Sequence, residues 1–249
     1  MNPYLSGDLT YQTEDTLGRI LVIDRRKHRI LSFDSIFEQS KIDRARPHLP
    51  VHEYNRAMLL PVAFATPRHV TVLGLGGGSL VSALHHLLPE CELHAVELRR
   101  RVYEVAREFF SLPTASTIKV TIADARRVLP ELPPGGTDLI LTDLYDAQRM
   151  SPAQAQRRFI EQCAEALSPD GWLVLNYHHP PPASGPLFMA LRALFGIVLL
   201  FRSKSGNHVL YASKALFEPM KRDDPRLAIL EARLPIDWRR LMGRAVRVA

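Results

Sequence analysis

The sequence predicts an α/β protein with a doubly wound, Rossmann-like sheet and a small β-hairpin subdomain at its N terminus. An apolar run ends in a glycine cluster over residues 70–79, and about a helix's length later a second apolar run ends in Glu97. Further short apolar runs alternate with segments of helical periodicity. Strands that alternate with helices in this way form parallel sheets with helices on both faces.

The first 50 residues differ from the rest of the chain. Two short β-type runs, residues 18–24 and 28–33, flank a charged turn and predict a hairpin. A loop punctuated by prolines follows. We therefore expect a small β subdomain over residues 1–50 and a Rossmann-like, nucleoside-binding catalytic domain over residues 51–249.

The larger domain begins with a predicted helix from Val51 that carries Tyr54 and that Pro61 should kink. Ser151 is placed to cap a later helix, and Gln154 to complete a capping box with it. After the first helix, the sequence predicts these elements in order: a strand from 70, a helix at 79–88, a strand at 93–97, a helix at 99–110, strands at 118–124 and 138–143, a helix from 151, a strand at 171–176, a further helix, and strands around 196–201 and 207–212.

The glycine cluster predicts a close approach between the backbone and a ligand. Gly74, Gly76 and Gly78 allow a sharp turn in a place where any side chain would block the ligand. Glu97 follows roughly 20 residues later, where a carboxylate at the tip of the second strand can hold ribose hydroxyls. Cluster, helix and acid in register predict a nucleoside site. The alternative is a glycine-rich turn followed by an exposed glutamate.

Four acids end or follow the predicted strands, namely Glu97, Asp124, Asp143 and Asp146. Because ligands bind at the carboxyl ends of the strands in an open α/β sheet, we expect these acids to line one crevice. They suit a ligand with hydroxyls, amines and positive charge, and they suit a pyrophosphate badly. A sulfonium nucleoside such as S-adenosylmethionine is therefore favoured over a nicotinamide cofactor. For Asp124, the alternative is a helix N-cap.

The composition excludes several classes of protein. Hydrophobic residues make up 46% of the chain and charged residues 23%, which is typical of an ordinary globular protein. The two cysteines lie far apart, and no spacing of ligands predicts a metal site.

The apolar run over residues 186–201 contains Arg192 and breaks at Gly196, so a helix followed by a buried strand is favoured over a membrane span. A start without signal-peptide regions favours the cytoplasm. The net charge of +6 is scattered, which makes a nucleic-acid partner unlikely.

Six segments of the chain resemble the spermidine synthase (polyamine aminopropyltransferase) family, within the class I AdoMet-dependent methyltransferase-type fold. The glycine loop resembles the family's Gly-Gly-Gly-Asp-Gly-Gly loop, and Glu97 stands in its Val-Glu-Ile-Asp motif. The resembling segments are residues 33–40, 52–55, 75–79, 95–98, 124–125 and 143–146. Together they span most of the chain.

The resemblance implies roles for particular residues. Glu97 would hold the ribose and Asp124 the adenine amino group of decarboxylated S-adenosylmethionine or S-adenosylmethionine. Asp143 and Asp146 would position and deprotonate an attacking amine such as a putrescine-like polyamine, with Tyr54 orienting it. The residues implied to bind the nucleoside are Gly74, Gly76, Gly77, Gly78, Ser79, Glu97, Asp124 and Ala125. The family also forms dimers, which leaves a homodimer open.

Three departures from the family pattern lie on the aminopropyl and amine sides. Ser79 stands where the family has an aspartate, Glu38 (or Gln39, after a one-residue slip) where it has a glutamine, and Ala147 where it has a proline. Nucleoside binding is therefore the firmer expectation. The alternatives are an S-adenosylmethionine-dependent methyltransferase, because the same fold serves both reactions, and a non-catalytic nucleoside-binding protein.

Overall fold

An eight-stranded sheet forms the centre of the protein. The computed structural model describes residues 7–33, 37–145, 150–179, 182–215 and 221–248, with the main chain alone for Ala155. The strands of the large sheet are β5 (His69–Leu73), β6 (Glu92–Glu97), β7 (Ile118–Ile122), β8 (Thr137–Thr142), β9 (Leu167–Tyr177), β10 (Ile197–Arg202), β11 (His208–Ser213) and β12 (Val246–Arg247). Their spatial order is β12-β10-β11-β9-β8-β5-β6-β7. Strands β5 to β9 pair in parallel, whereas β11 pairs antiparallel with both of its neighbours.

Helices cover both faces of this sheet. They are α1 (Glu53–Met58), α2 (Ser79–Leu87), α3 (Arg100–Phe109), α4 (Ala125–Val128), α5 (Arg157–Ala166), α6 (Pro186–Leu194), α7 (Pro225–Arg233) and α8 (Trp238–Met242). One core cluster contains residues of α1, α2, α7 and α8, and the other contains residues of α4, α5 and α6. The predicted doubly wound α/β fold is confirmed.

Alternation along the central strands explains why their sequences are apolar throughout. Leu139 and Leu141 of β8 belong to the first core cluster, whereas Ile140 between them belongs to the second. Successive side chains of a strand point to opposite faces, so a strand covered on both faces has no solvent-exposed position. The polar residues at the strand ends therefore stand out against an apolar background.

A second, four-stranded antiparallel sheet is formed by the N-terminal region. Its strands are β1 (Asp8–Asp15), β2 (Gly18–Arg25), β3 (His28–Ser32) and β4 (Ser40–Asp43), paired in that order. The predicted hairpin corresponds to β2 and β3. The sequence analysis missed the two flanking strands, because β1 is largely exposed and polar and β4 has only four residues.

The small sheet packs against α3. Residues of β2, β3 and β4 form a separate apolar cluster with Val102, Val105 and Phe110. Arg99 reinforces this contact, because its guanidinium donates to both carboxylate oxygens of Asp15, at 3.0 and 2.8 Å. The residue that follows the nucleoside motif thus also anchors the N-terminal sheet.

Other predicted elements were correct in type and shifted in detail. The helix predicted from residue 151 begins as a 3-10 helix, Pro152–Ala155, and continues as α5. Ser151 accepts from the Ala153 amide, but the predicted capping box is wrong: the Gln154 amide donates instead to the Leu144 and Asn176 carbonyls. Gln154 is fully buried and needs partners in the core, which a surface cap would not give it.

The apolar run over residues 186–201 forms α6 and β10, as predicted. None of the helices in the described part of the chain combines the length and the apolar character needed to cross a bilayer. The C-terminal elements α7, α8 and β12 carry no strong motif, and the sequence analysis missed them.

Candidate active site

The glycine loop joins β5 to α2 at the carboxyl edge of the large sheet. Gly74, Gly76 and Gly78 have φ values of +94°, +53° and +76°, which side chains rarely adopt. A Cβ on Gly78 would lie 2.5 Å from the Leu112 side chain, and one on Gly74 would overlap the Asp143 carbonyl oxygen. The sequence analysis explained these glycines by ligand approach. The structure adds a second reason, since protein atoms already fill the space.

Glu97 lies beneath this loop and is 8% exposed. One carboxylate oxygen accepts from the amides of Leu75 and Gly76 at 3.1 and 3.4 Å, and the other accepts from the Arg99 amide at 2.9 Å. Burial raises the pKa of Glu97, while these three amides favour its charged form. A carboxylate has about four acceptor positions, so roughly one is left free in this geometry. Ribose binding by Glu97 stays a prediction.

Asp124 caps α4, as the alternative interpretation of this residue expected. Its carboxylate accepts from the Arg126 amide at 2.9 Å and from the Arg126 guanidinium, whose hydrogen bonds hold the Asp124 pKa below its usual range. Ala125 is buried in the second core cluster. The backbone places both residues beside Glu97, because the Ala123 amide donates to the Glu97 carbonyl. Adenine recognition by Asp124 stays a prediction.

Asp143 follows β8 directly and faces α1. Its carboxylate accepts from the Asn176 side-chain amide at 2.8 Å and forms a hydrogen bond with the Tyr54 hydroxyl. Removal from water raises the Asp143 pKa to about 6 and raises the Tyr54 pKa well above its usual value. The structure therefore brings the predicted base and the predicted orienting tyrosine together, and Asp143 titrates close to neutral pH.

Further polar residues, for which no role was predicted, surround Asp143. Asn176 is the last residue but one of β9 and is 1% exposed, and its side-chain oxygen accepts from Asn207 at 3.2 Å. The Tyr145 hydroxyl donates to the Asn176 carbonyl oxygen at 3.1 Å. The signal for Asn176 was available, since it is a polar residue at the end of an apolar strand, as Asp143 is.

The remaining positions singled out in the sequence, Asp146, Ser79 and Glu38, have different surroundings. Asp146 lies outside the described residues. Ser79 is 4% exposed, and its hydroxyl has no hydrogen-bond partner among the described residues. Glu38 is paired with Lys41, whose ammonium lies 3.1 Å from each carboxylate oxygen. The amine side thus carries an ion pair where the resemblance places a neutral glutamine.

The site residues fall into two groups joined at one point. The glycine loop and Glu97 form the first group, and Tyr54, Asp143 and Asn176 form the second. Contact between Gly74 and the Asp143 main chain joins them. No set of three or more His, Cys, Asp or Glu side chains in the described ranges is arranged to hold a metal ion.

A parallel sheet with an antiparallel strand near one edge, together with acids at the strand ends, defines a class I AdoMet-type α/β protein. The family model for the spermine/spermidine synthase domain matches residues 48–181, more than half of the chain. The chain therefore belongs to the spermine/spermidine synthase family.

A curated relative agrees with this assignment. The chain is 33% identical over 152 residues to a polyamine aminopropyltransferase of Neisseria meningitidis, an alignment that covers 60% of the chain and 57% of the relative. The chain thus spans less than two thirds of that relative's length.

The structure is similar to that of a probable spermidine synthase from Corynebacterium glutamicum, with a TM-score of 0.76, 20% identity, and coverage of 96% of the chain and 90% of the other. It is also similar to human methyltransferase-like protein 13 in complex with SAH, with a TM-score of 0.63, 25% identity, and coverage of 75% and 92%. At 20% identity, the likeness to the Corynebacterium glutamicum structure supports the fold alone.

Proposed function

We propose that this protein transfers an aminopropyl group from decarboxylated S-adenosylmethionine to a small amine such as a putrescine-like polyamine. The observation that carries this proposal is the arrangement around Asp143. A carboxyl group with a pKa raised to about 6 stands at a strand end, in contact with Tyr54 and with an amide donor. A base with such a pKa is matched to proton transfer near neutral pH.

In this reaction Asp143 takes a proton from the ammonium of the acceptor. The freed nitrogen lone pair then forms a bond to the carbon next to the sulfonium, the carbon–sulfur bond breaks, and its electron pair returns to sulfur. The products are an alkylated ammonium, which carries the remaining positive charge, a neutral thioether nucleoside and a protonated Asp143. The negative charge of the carboxylate also attracts a polycationic acceptor.

Within this proposal, Glu97 accepts a ribose hydroxyl, Asp124 and Ala125 lie against the adenine, and the glycine loop with Ser79 covers the nucleoside. Tyr54 orients the amine, and Asp146 assists Asp143. The proposal places the reaction in the cytoplasm, uses no metal and leaves a homodimer open. The family membership and the relative's name support the transfer reaction itself.

A second candidate is methyl transfer from S-adenosylmethionine itself. Ser79 puts an uncharged hydroxyl where the resemblance places an acid, and an acid there would oppose the carboxylate of the methyl donor. The likeness to human methyltransferase-like protein 13 in complex with SAH supports the same alternative.

Side-by-side titration and turnover with the two donors tests the proposal. We expect at least tenfold tighter binding of the decarboxylated donor, which is about 1.4 kcal/mol, and amine-dependent release of the thioether nucleoside. Preference for the intact donor, with methylated product, would establish the second candidate. Binding without any turnover would indicate the non-catalytic alternative.

A further inference from the structure

A chain of hydrogen bonds runs from the β10–β11 turn, residues 203–207, through two buried asparagines to the Asp143 carboxylate. The Ser205 hydroxyl donates to the Asn207 side-chain oxygen at 3.1 Å. The side-chain amide of Asn207 donates to the Asn176 side-chain oxygen at 3.2 Å, and the side-chain amide of Asn176 donates to the Asp143 carboxylate at 2.8 Å. Both asparagines are nearly inaccessible to solvent, at 7% and 1% exposed. Three consecutive donors therefore point toward one carboxylate.

The direction of this chain follows from the chemistry of its members. An asparagine side chain donates from its nitrogen and accepts at its oxygen, so each amide has two orientations. Asn176 presents its nitrogen to Asp143 because Asn207 donates to its oxygen. The Asn207 oxygen accepts in turn from the Ser205 hydroxyl, which also lies 2.9 Å from the Ser203 hydroxyl. Reversing either amide would place two oxygens against each other in a buried site, which is costly.

The turn that supports this chain is itself well ordered by hydrogen bonds. The main-chain amide of Asn207 donates to the Ser203 hydroxyl at 2.9 Å, and the main-chain amide of Ser203 donates to the main-chain carbonyl of Asn207 at 2.8 Å. The same turn holds α1, since the Lys204 amide donates to Glu53 at 2.6 Å. It therefore contacts both the element that carries Tyr54 and the chain that ends at Asp143.

We infer that Asn176 and Asn207 are positioning residues for Asp143: the Ser205–Asn207–Asn176 donor chain fixes the orientation of the Asp143 carboxylate and favours its charged, proton-accepting form. This inference deepens the proposed function and rests on it for its catalytic meaning. The orientation itself rests on the described hydrogen bonds alone.

The surroundings of Asp143 make the donor chain decisive. Burial opposes the charged form, and the two effects that oppose burial are the hydrogen bonds from Asn176 and Tyr54. The other titratable group facing Asp143 in the described part of the chain is Tyr145, whose pKa burial also raises, so both tyrosines are neutral phenols. The nearby Glu53 carboxylate is paired with Arg244 and accepts from the Lys204 amide.

Carbon-13 NMR titration of the Asp143 carboxyl tests the inference without any substrate. We expect a pKa of about 6 in the wild type. In Asn176→Leu it should rise by about one pH unit, because a hydrogen bond to the carboxylate is lost. Asn207→Leu should raise the Asp143 pKa less, because Asn207 acts through Asn176. Ser205→Ala should raise it least, because Ser205 acts through both asparagines. Asp143→Asn identifies the resonance.

Gln154→Leu is the matched control for these variants. Gln154 is a buried amide that donates to the Asn176 carbonyl but takes no part in the side-chain chain. It should lower stability and leave the Asp143 pKa unchanged. If Gln154→Leu shifts the pKa as much as Asn207→Leu does, the effect is general loosening and the inference is overturned.

A wild-type measurement keeps the inference testable if the leucine variants do not fold. The side-chain nitrogen resonance of Asn176 should titrate with the Asp143 pKa, and that of Gln154 should not. An Asn176 resonance that does not titrate would overturn the inference. The acid limb of the pH profile for amine transfer should move upward in the same order as the NMR pKa values. NMR shifts without any turnover would refute the proposed function and leave the donor chain intact.

Discussion

The two groups of site residues are held in different ways. On the proposed nucleoside side, Glu97 is held by three backbone amides that lie within 22 residues of it in sequence. On the proposed amine side, Asp143 is held by side chains from α1 and β9, and through them by the β10–β11 turn. One side is local main chain, and the other is an assembly of distant side chains.

This difference has consequences for how each side tolerates change. Main-chain donors are present whatever the sequence, so the nucleoside side depends on backbone shape and on the glycines that allow it. Side-chain donors are lost one at a time, so the amine side can be retuned by single substitutions. We therefore expect substitutions on the first side to affect folding and those on the second to affect turnover.

The largest expected effect is that of Asp143→Asn on turnover. Removal of a general base lowers the rate by about 10²–10⁴-fold. Donor affinity measured by calorimetry should change by less than about threefold, because the nucleoside contacts lie on the other side. An equal loss of donor affinity would show that the two sides are not separable.

A pair of glycine substitutions tests the nucleoside side. Gly78 and Gly135 both have positive φ values, but a Cβ on Gly78 would overlap Leu112, whereas one on Gly135 would meet nothing within 4 Å. Gly135→Ala should cost about 1 kcal/mol of unfolding free energy from backbone strain alone. Gly78→Ala should cost about 2–4 kcal/mol because packing strain is added. Equal losses in chemical denaturation would refute this account.

The pH dependence of stability isolates Asp143. Its folded-state pKa of about 6 lies above the unfolded value, so its contribution to stability is fully present below about pH 4 and is lost as the pH rises through 6. The unfolding free energy should fall by roughly 2–3 kcal/mol across this range relative to Asp143→Asn. If the unfolding free energies of the wild type and of Asp143→Asn changed in parallel with pH, the raised pKa of Asp143 would be contradicted.

The smallest effect is expected for Tyr54→Phe. Loss of the hydroxyl removes one hydrogen bond to Asp143 and should lower turnover by about tenfold, with an upward shift of the acid limb. Tyr145→Phe is the comparison, because that hydroxyl bonds the Asn176 carbonyl and not the carboxylate. A larger loss of turnover in Tyr145→Phe would show that Tyr145, and not Tyr54, is the more important tyrosine beside Asp143.

The same contrast explains what the sequence could predict. The large sheet, the glycine loop and Glu97 were predictable because apolar runs, glycines and an acid follow one another at fixed spacing. The meeting of Tyr54 with Asp143 came from a family resemblance, since no local pattern links residues so far apart. Asn207 stayed open between a turn residue and part of the pocket wall, because a turn asparagine beside a glycine has an ordinary local explanation. Its role depends on strand order in the folded sheet.

The absence of a side chain at Gly74 has a consequence for how the site can change. Because the Asp143 carbonyl fills the space that a Cβ would need, the glycine loop and Asp143 stand at a separation set by the main chain. Substitution of the side chains around Asp143 leaves that separation unchanged. A change of acceptor specificity can therefore proceed through those side chains without moving the loop away from Asp143.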